Sequence, residues 1–402
     1  MRSVVVMMLL AGLAHAEPGI ATLIRSYPGV RQILDIMDDP PLLLASGSRR
    51  HKQQDKPSVF PVPFVAVYDT RTGEKIGEIE GGQKDYGVTA RFASRDSAWI
   101  GWRGRQVEWN FRSGATAVKV ERSGEVSPVC FLPSGEGLGL TRLPVRGGWA
   151  VALRRDAAWH QLSQPALGID LGFDCLNRWQ EDRFLAQSFG REPALVWIPT
   201  SLSGETEPCR SFPGHQVLGY AVTSDASKVV VVTGEIRKAE PESLSAAVME
   251  RRVFLNVLDG RNGCIEAARF ALEFPEKPVW KKPLLAPKNQ YLSGAYFQNE
   301  FASQIAVSPD GLRLAMAYGT FKSDYLSDAL AFIGIYDISS GRRLATLKGG
   351  VYPNGFLTFL RTWDWDPISF PPITGPMRFS ADSKQLFVSS AKIWQWDVSA
   401  LR

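Results

Sequence analysis

Histidine and cysteine are scarce, four of each in 402 residues, and they fall into no arrangement that carries chemistry. Cys130, Cys175, Cys209 and Cys264 form no CxxC, no CxxCH and no cluster with histidine, which excludes zinc-ribbon, thioredoxin-like and haem-attachment motifs. There is no GxSxG, so a nucleophile elbow is excluded. GEGLG at 135–139 lies between two strand-like runs with no helix to present its amides to a phosphate. The formal net charge of +5 is small and spread along the chain, which argues against a nucleic-acid partner. Past residue 16 no apolar run approaches the roughly 20 residues of a membrane span. No metal and no cofactor are expected from these residues.

What is present begins with MRSVVVMMLLAGLAHAE. One Arg, an apolar run from Val4 to Leu13 and the triplet Ala14, His15, Ala16 make residues 1–16 a signal peptide with cleavage after Ala16. The mature chain, residues 17–402, is expected to be soluble and periplasmic or secreted. In that oxidising compartment the cysteines become disulfides or buried apolar groups.

A repeat then runs along the chain. VAVYDTRTG places Asp69 four residues before Gly73, and Asp259 with Gly263 and Asp337 with Gly341 repeat the spacing. Asn110 with Gly114 and Thr200 with Gly204 are weaker copies, and WAVALRRDAAWHQL is a degenerate one. An Asx side chain bonds the backbone just ahead of it, and Gly takes the positive φ of a tight hairpin. A second hairpin type alternates with the first: VCFLPSGEGLGL, GYAVTSDASKVVVVTGE, QIAVSPDGLRLAMAYG and PMRFSADSKQLFVSS. Asp225, Asp310 and Asp382 recur at its turn, so turn chemistry is assigned to them and not ligation. Four-strand units at roughly 40 to 55 residues predict the blades of an all-β propeller.

PLLLASGS (41–48), the Gly214–His215 pair, VVTGE and the closing IWQWDV resemble the WD-repeat (Trp-Asp repeat) β-propellers. The resemblance implies a seven-bladed ring of four-stranded antiparallel blades. It carries over no active site, because that family is chiefly a set of binding platforms. The blades are expected at 29–81, 82–122, 123–166, 167–213, 214–271, 272–349 and 350–402. The last has three strands of its own. GIATLIRSYP (19–28), which resembles RRLATLKGGVYP (342–353), is expected to supply the fourth and close the ring.

Residues 48–62, 235–250 and 319–328 read as second-to-third-strand loops, and 272–302 and 350–375 as blade junctions, all on one face. Long loops commonly carry function. The candidate binding residues there are Arg49, Arg50, Trp280, Lys281, Lys282, Tyr291, Tyr296, Phe359, Arg361, Trp363 and Trp365, because aromatics and Arg dominate interface energetics. Asp364 and Asp366 flank Trp365, but both precede Pro367, where Asp begins turns, so no catalytic residue is assigned. Cys175–Cys209 within one blade is the disulfide carried forward, with Cys209–Cys264 between blades also open, and Cys130 reads as a buried free thiol.

The expectation is a non-catalytic exported scaffold that binds a protein partner or an anionic envelope polymer. The alternative is a propeller subunit of a periplasmic redox enzyme, or a propeller hydrolase, with a cofactor or metal that the sequence does not reveal.

Overall fold

The Asx turns form with the bonds their residue types dictate. Asp69 Oδ1 accepts from the backbone N–H of Arg71 (2.7 Å) and Thr72 (3.0 Å). Asn110, Asp259 and Asp337 do the same for the residues two and three ahead, and Asp397 accepts from Ser399. Gly73, Gly114, Gly263 and Gly341 take φ between 67° and 79°. The second hairpin type is closed by a hydroxyl: Thr223 Oγ1 donates to Asp225 (2.7 Å) and Ser380 Oγ to Asp382 (2.6 Å), with Ser308 and Asp310 as the third copy. The Thr223 hydroxyl foremost, with the backbone N–H and hydroxyl of Ser227, holds the pKa of the Asp225 carboxyl down to about 2.

The computed structural model describes residues 21–401 apart from 53–58, 83–87, 103–104, 122–126, 133, 143–148, 156–157, 163–168, 171–178, 181, 189–193, 202–203, 236–251, 273–300, 321–329, 349–375 and 390–391. The first strand is β1 (Thr22–Tyr27). Blade 1 is β2 (Val30–Asp38), β3 (Pro41–Lys52), β4 (Val59–Asp69) and β5 (Lys75–Glu80). Blade 2 is β6 (Thr89–Phe92), β7 (Ser97–Trp102), β8 (Arg105–Asn110) and β9 (Thr116–Glu121). Blade 3 is β10 (Ser127–Phe131), β11 (Gly137–Arg142), β12 (Trp149–Arg155) and β13 (Ala158–Gln161). In blade 4 two short strands, β14 (Ile169–Asp170) and β15 (Trp179–Gln180), share the first position. Both pair with β16 (Arg183–Ser188), which is followed by β17 (Ala194–Pro199) and β18 (Glu207–Ser211).

Blade 5 is β19 (His215–Val222), β20 (Lys228–Glu235), β21 (Arg252–Asp259) and β22 (Ile265–Ala271). Blade 6 is β23 (Phe301–Val307), β24 (Arg313–Thr320), β25 (Leu330–Asp337) and β26 (Arg343–Lys348). Blade 7 is β27 (Met377–Phe379), β28 (Gln385–Ser389) and β29 (Ile393–Asp397), and β1 pairs antiparallel with β29 as its fourth strand. The fold is all-β, with no helix among the described residues: seven antiparallel blades in a closed ring.

The core lies in the seams between blades. Leu42, Leu44, Val65 and Val67 of blade 1 cluster with Ala98, Ile100, Trp102 and Trp109 of blade 2. Ala306, Ala315 and Ile335 of blade 6 cluster with Met377, Leu386 and Leu401 of blade 7. Each fully buried Leu or Ile is worth about 1.5–3 kcal/mol, so a blade removed from its neighbours has no core of its own. Between blades 2 and 3 the seam is more polar. Buried Arg154 donates to Gln106 Oε1 (2.6 Å), and the Trp99 ring lies over Gly135, where an added Cβ would come within 2.6 Å of it.

Closure is bonded as well as packed. Tyr27 Oη donates to Gln395 Oε1 (2.7 Å), and Gln395 Nε2 donates to Thr70 O (3.1 Å) and Gln385 Oε1 (2.9 Å). One buried amide therefore joins the first strand, the last strand and blade 1. Arg313 pins the adjoining seam: Nη1 donates to Val398 O (2.8 Å), and Nη2 to Ser383 O (2.7 Å) and Asp310 Oδ2 (3.0 Å). Replacing Arg313 with Met strips two buried carbonyls and a carboxylate of this donor. A loss of about 2–4 kcal/mol in urea unfolding is expected, with the ring still closed.

Three expectations need correction. The disulfide is Cys209–Cys264, not Cys175–Cys209. Cys209 is the residue skipped between Pro208 and Arg210 in the β17–β18 register, and this bulge aims it at the third-to-fourth-strand turn of blade 5. Cys130 is disulfide-bonded, not a free thiol, while Cys175 lies outside the described residues. Segment 48–62 is mostly strand: β3 and β4 stay paired from Leu42↔Asp69 to Lys52↔Val59, since a backbone ladder does not require apolar side chains.

Candidate functional site

First-to-second and third-to-fourth connections emerge on one face of such a ring, and the remaining connections on the other. Among the described residues the first face carries tight turns: Ala93 to Ser97, Leu132 to Glu136, Thr223 to Lys228, Ser308 to Arg313 and Ser380 to Gln385 are each closed by a backbone bond. The long segments 236–251, 273–300, 321–329 and 349–375 all leave from strand ends on the opposite face. Trp280, Lys281, Lys282, Tyr291, Tyr296, Phe359, Arg361, Trp363 and Trp365 fall in those segments, outside the described residues.

Arg49 and Arg50 lie on β3. Arg49 is engaged within its own blade: its guanidinium bonds Glu78 and Glu80 of β5 and stacks 4.5 Å from the Phe64 ring centre. The hydrogen bonds it donates to Glu78 raise its pKa. His215 is also tied locally, with Nδ1 at 2.9 Å from Pro213 O and Nε2 at 2.7 Å from Arg269. Because a guanidinium only donates, Nε2 accepts and the proton sits on Nδ1.

The described charge cluster lies around the central axis. The innermost strands β6 and β27 of blades 2 and 7 each pack on β2 of blade 1 between them. Asp69, Asn110 and Asp397 begin equivalent turns and pair with Leu42, Ser97 and Gln385. One residue further along, Leu43, Ala98 and Leu386 pair inward with Ile36, Phe92 and Phe379. The residues just before those, Asp35, Arg91 and Arg378, therefore occupy one position in three adjacent blades. In blades 5 and 6 that position is held by Ala221 and Ala306.

An innermost strand has an unpaired edge, and these side chains serve it. Asp35 accepts from Ile36 N–H (2.9 Å) and Phe92 N–H (3.0 Å), and Arg91 Nη1 donates to Phe131 O (3.1 Å). Asp35 and Arg91 are partly buried and Arg378 is 8% exposed. Desolvation is still the largest influence on Asp35 and raises its pKa, against the pull of Arg91, Arg378 and the two N–H groups. Burial lowers the pKa of Arg91, with Asp35 opposing and Arg378 reinforcing that shift. A carboxyl whose folded pKa lies above its unfolded value favours folding below the unfolded pKa, and that contribution fades as pH rises through the folded one.

Sequence reasoning passed over these three residues. The available signal was the pair of parallel phrases TARFAS and PMRFSA, which put Arg before the strand-ending Phe in two blades.

No family model and no curated protein sequence matches the chain. Solved structures do. The chain is similar to oligogalacturonate lyase in complex with manganese, at 11% identity over 94% of this chain and 96% of that one, with a TM-score of 0.54. It is similar to Raptor of Chaetomium thermophilum at 8% identity over 94% of this chain and 29% of that one, with a TM-score of 0.54. The C-terminal WD40 domain of Sif2 aligns at 10% identity over 94% and 99%, with a TM-score of 0.43. The shared feature is the propeller. At such identities likeness extends to the fold alone, and a fold does not by itself assign a function.

Proposed function

We propose that the protein is a non-catalytic, divergent WD-repeat-type propeller that binds a protein partner on the face from which its long segments leave. The observation that carries this reading is the asymmetry of the ring: the described connections of one face are tight bonded turns, while segments 236–251, 273–300, 321–329 and 349–375 leave from strand ends on the other. Chain length that the blades do not need is chain length available for recognition. The aromatic and cationic residues in 273–300 and 349–375 suit a docking surface, and an anionic envelope polymer is the second partner class they suit. Export belongs to the same reading, supported by residues 1–16 and by a disulfide that forms in oxidising compartments.

The test replaces 349–375 with a short Gly-Ser linker. Capture of the partner from an envelope extract of the native host should fall at least about tenfold, while circular dichroism and the melting transition stay those of the intact ring. Undiminished capture by the folded variant would overturn the reading.

A further inference from the structure

We propose that Cys130 and Cys175 form a second disulfide, so that blade 4 is tied covalently to blade 3 as well as to blade 5. Cys130 is disulfide-bonded, and the chain has four cysteines, of which Cys209 and Cys264 are bonded to each other. Cys175 is the one cysteine of the same chain that remains for it.

The described surroundings of Cys130 agree with that elimination. Cys130 lies on β10, the innermost strand of blade 3, and is 5% exposed. It shares an apolar cluster with Leu132, Leu138 and Leu153 of its own blade and with Phe184, Ala186 and Ile198 of blade 4. Its sulfur is therefore buried in the seam between the two blades. Cys175 lies outside the described residues, but its neighbours in sequence are placed. Asp170, five positions before it, pairs with Gln187, and Trp179, four positions after it, pairs with Phe184. Both partners belong to β16, the strand that brings Phe184 and Ala186 to Cys130. At about 3.5 Å per residue, the chain keeps Cys175 within roughly 14 Å of Trp179, which leaves it within reach of the same seam.

The two bonds hold blade 4 at opposite edges. Cys209 on β18, its outermost strand, is bonded to the third-to-fourth-strand turn of blade 5. Cys175 falls at its inner edge, where the first position is split between β14 and β15, two residues each. A bond there restricts the unfolded chain and fixes the edge at which the ladder is interrupted. Formation joins Sγ of Cys130 to Sγ of Cys175. The two thiols give up two protons and two electrons, which reduce the disulfide of a thiol oxidant in the oxidising compartment to a dithiol. This step rests on the export reading, as the Cys209–Cys264 bond does.

Trypsin places the four cysteines on separate peptides, 123–142, 156–178, 192–210 and 262–269. Mass spectrometry of the full chain from its native host, alkylated and digested without reductant, should find 123–142 joined to 156–178 and 192–210 joined to 262–269. Peptide 123–142 found alkylated, or joined to anything other than 156–178, would overturn the proposal. If 192–210 and 262–269 stay joined in that case, the export reading stands and this pairing alone fails; if all four peptides are alkylated, the export reading falls with it. Thiol titration in guanidinium checks the same pairing in another way: the wild type should show no thiol per chain, Cys130→Ala and Cys175→Ala one each, and the double variant none. A Cys175→Ala chain without a free thiol would equally sink the pairing. Where a variant fails to fold, the wild-type peptide map decides.

Discussion

Removing residues 17–28 together with everything before them should leave a chain that aggregates, or that melts without a cooperative transition. β1 is the outer strand of blade 7, in register with β29 from Thr22↔Asp397 to Tyr27↔Ile393. Its loss exposes the β29 backbone edge and uncovers the partly buried Trp394 and Trp396. It also deletes Tyr27, which is 1% exposed and packs edge-on against Tyr68 with ring centres 5.2 Å apart. Emptying a buried aromatic site alone costs about 3–5 kcal/mol, a large part of the ~5–15 kcal/mol that stabilises a typical domain. Gln395 then keeps its buried amide without the Tyr27 hydroxyl. Light scattering and thermal melts are the measurements. A monomeric, cooperatively melting truncation would show that the ring does not depend on its first strand. Tyr27→Phe separates the parts of the effect: it retains the ring packing, removes only the donor to Gln395, and should cost about 1–2 kcal/mol.

The elements that were legible in the sequence are those whose chemistry is local. Asp69, Asn110, Asp259 and Asp337 bond backbone two and three residues ahead, so spacing alone reveals the turn, and a series of such turns reveals the blades. The closing strand was legible for a related reason. GIATLIRSYP resembles RRLATLKGGVYP, which holds the fourth-strand position of blade 6, and β1 takes that position in blade 7 by pairing with β29.

What escaped depends on register across the ring. Arg91 and Arg378 lie 287 positions apart in sequence (378 − 91) and become neighbours of Asp35 only once three ladders are aligned. RRHKQQDK reads as loop because it is polar, yet Arg49 to Lys52 continue a paired strand, and Arg49 is held by Glu78 from the outer strand. The choice of disulfide turned on a bulge. Had Cys209 taken an ordinary place in the β17–β18 ladder, nothing would have directed it to the neighbouring blade.

That bulge sets the second large effect. In the seam between blades 6 and 7, Leu344 is the residue skipped on β26, and it shares an apolar cluster with Val398 and Leu401 from the turn of the next blade. Cys209 is likewise a skipped residue on the fourth strand of blade 4, and its partner Cys264 lies in the third-to-fourth-strand turn of blade 5, so a covalent bond crosses this seam where the seam between blades 6 and 7 relies on packing. It closes a loop with a sequence separation of 55, for which the loss of unfolded-chain entropy corresponds to about 4 kcal/mol. Cys209→Ala with Cys264→Ala should lower the unfolding free energy from urea titration by that amount, with an m-value no smaller than that of the cross-linked chain, because alanine leaves little empty volume and no buried hydroxyl. A change below about 1 kcal/mol would mean that the seam is held by Leu185, Trp197, Tyr220 and Leu258 alone, with the bond adding nothing. Since Cys209 is 8% and Cys264 1% exposed, a dithiol reductant added to the native protein should leave its melting unchanged over hours, and the loss should appear only once the chain has been unfolded in the presence of the reductant.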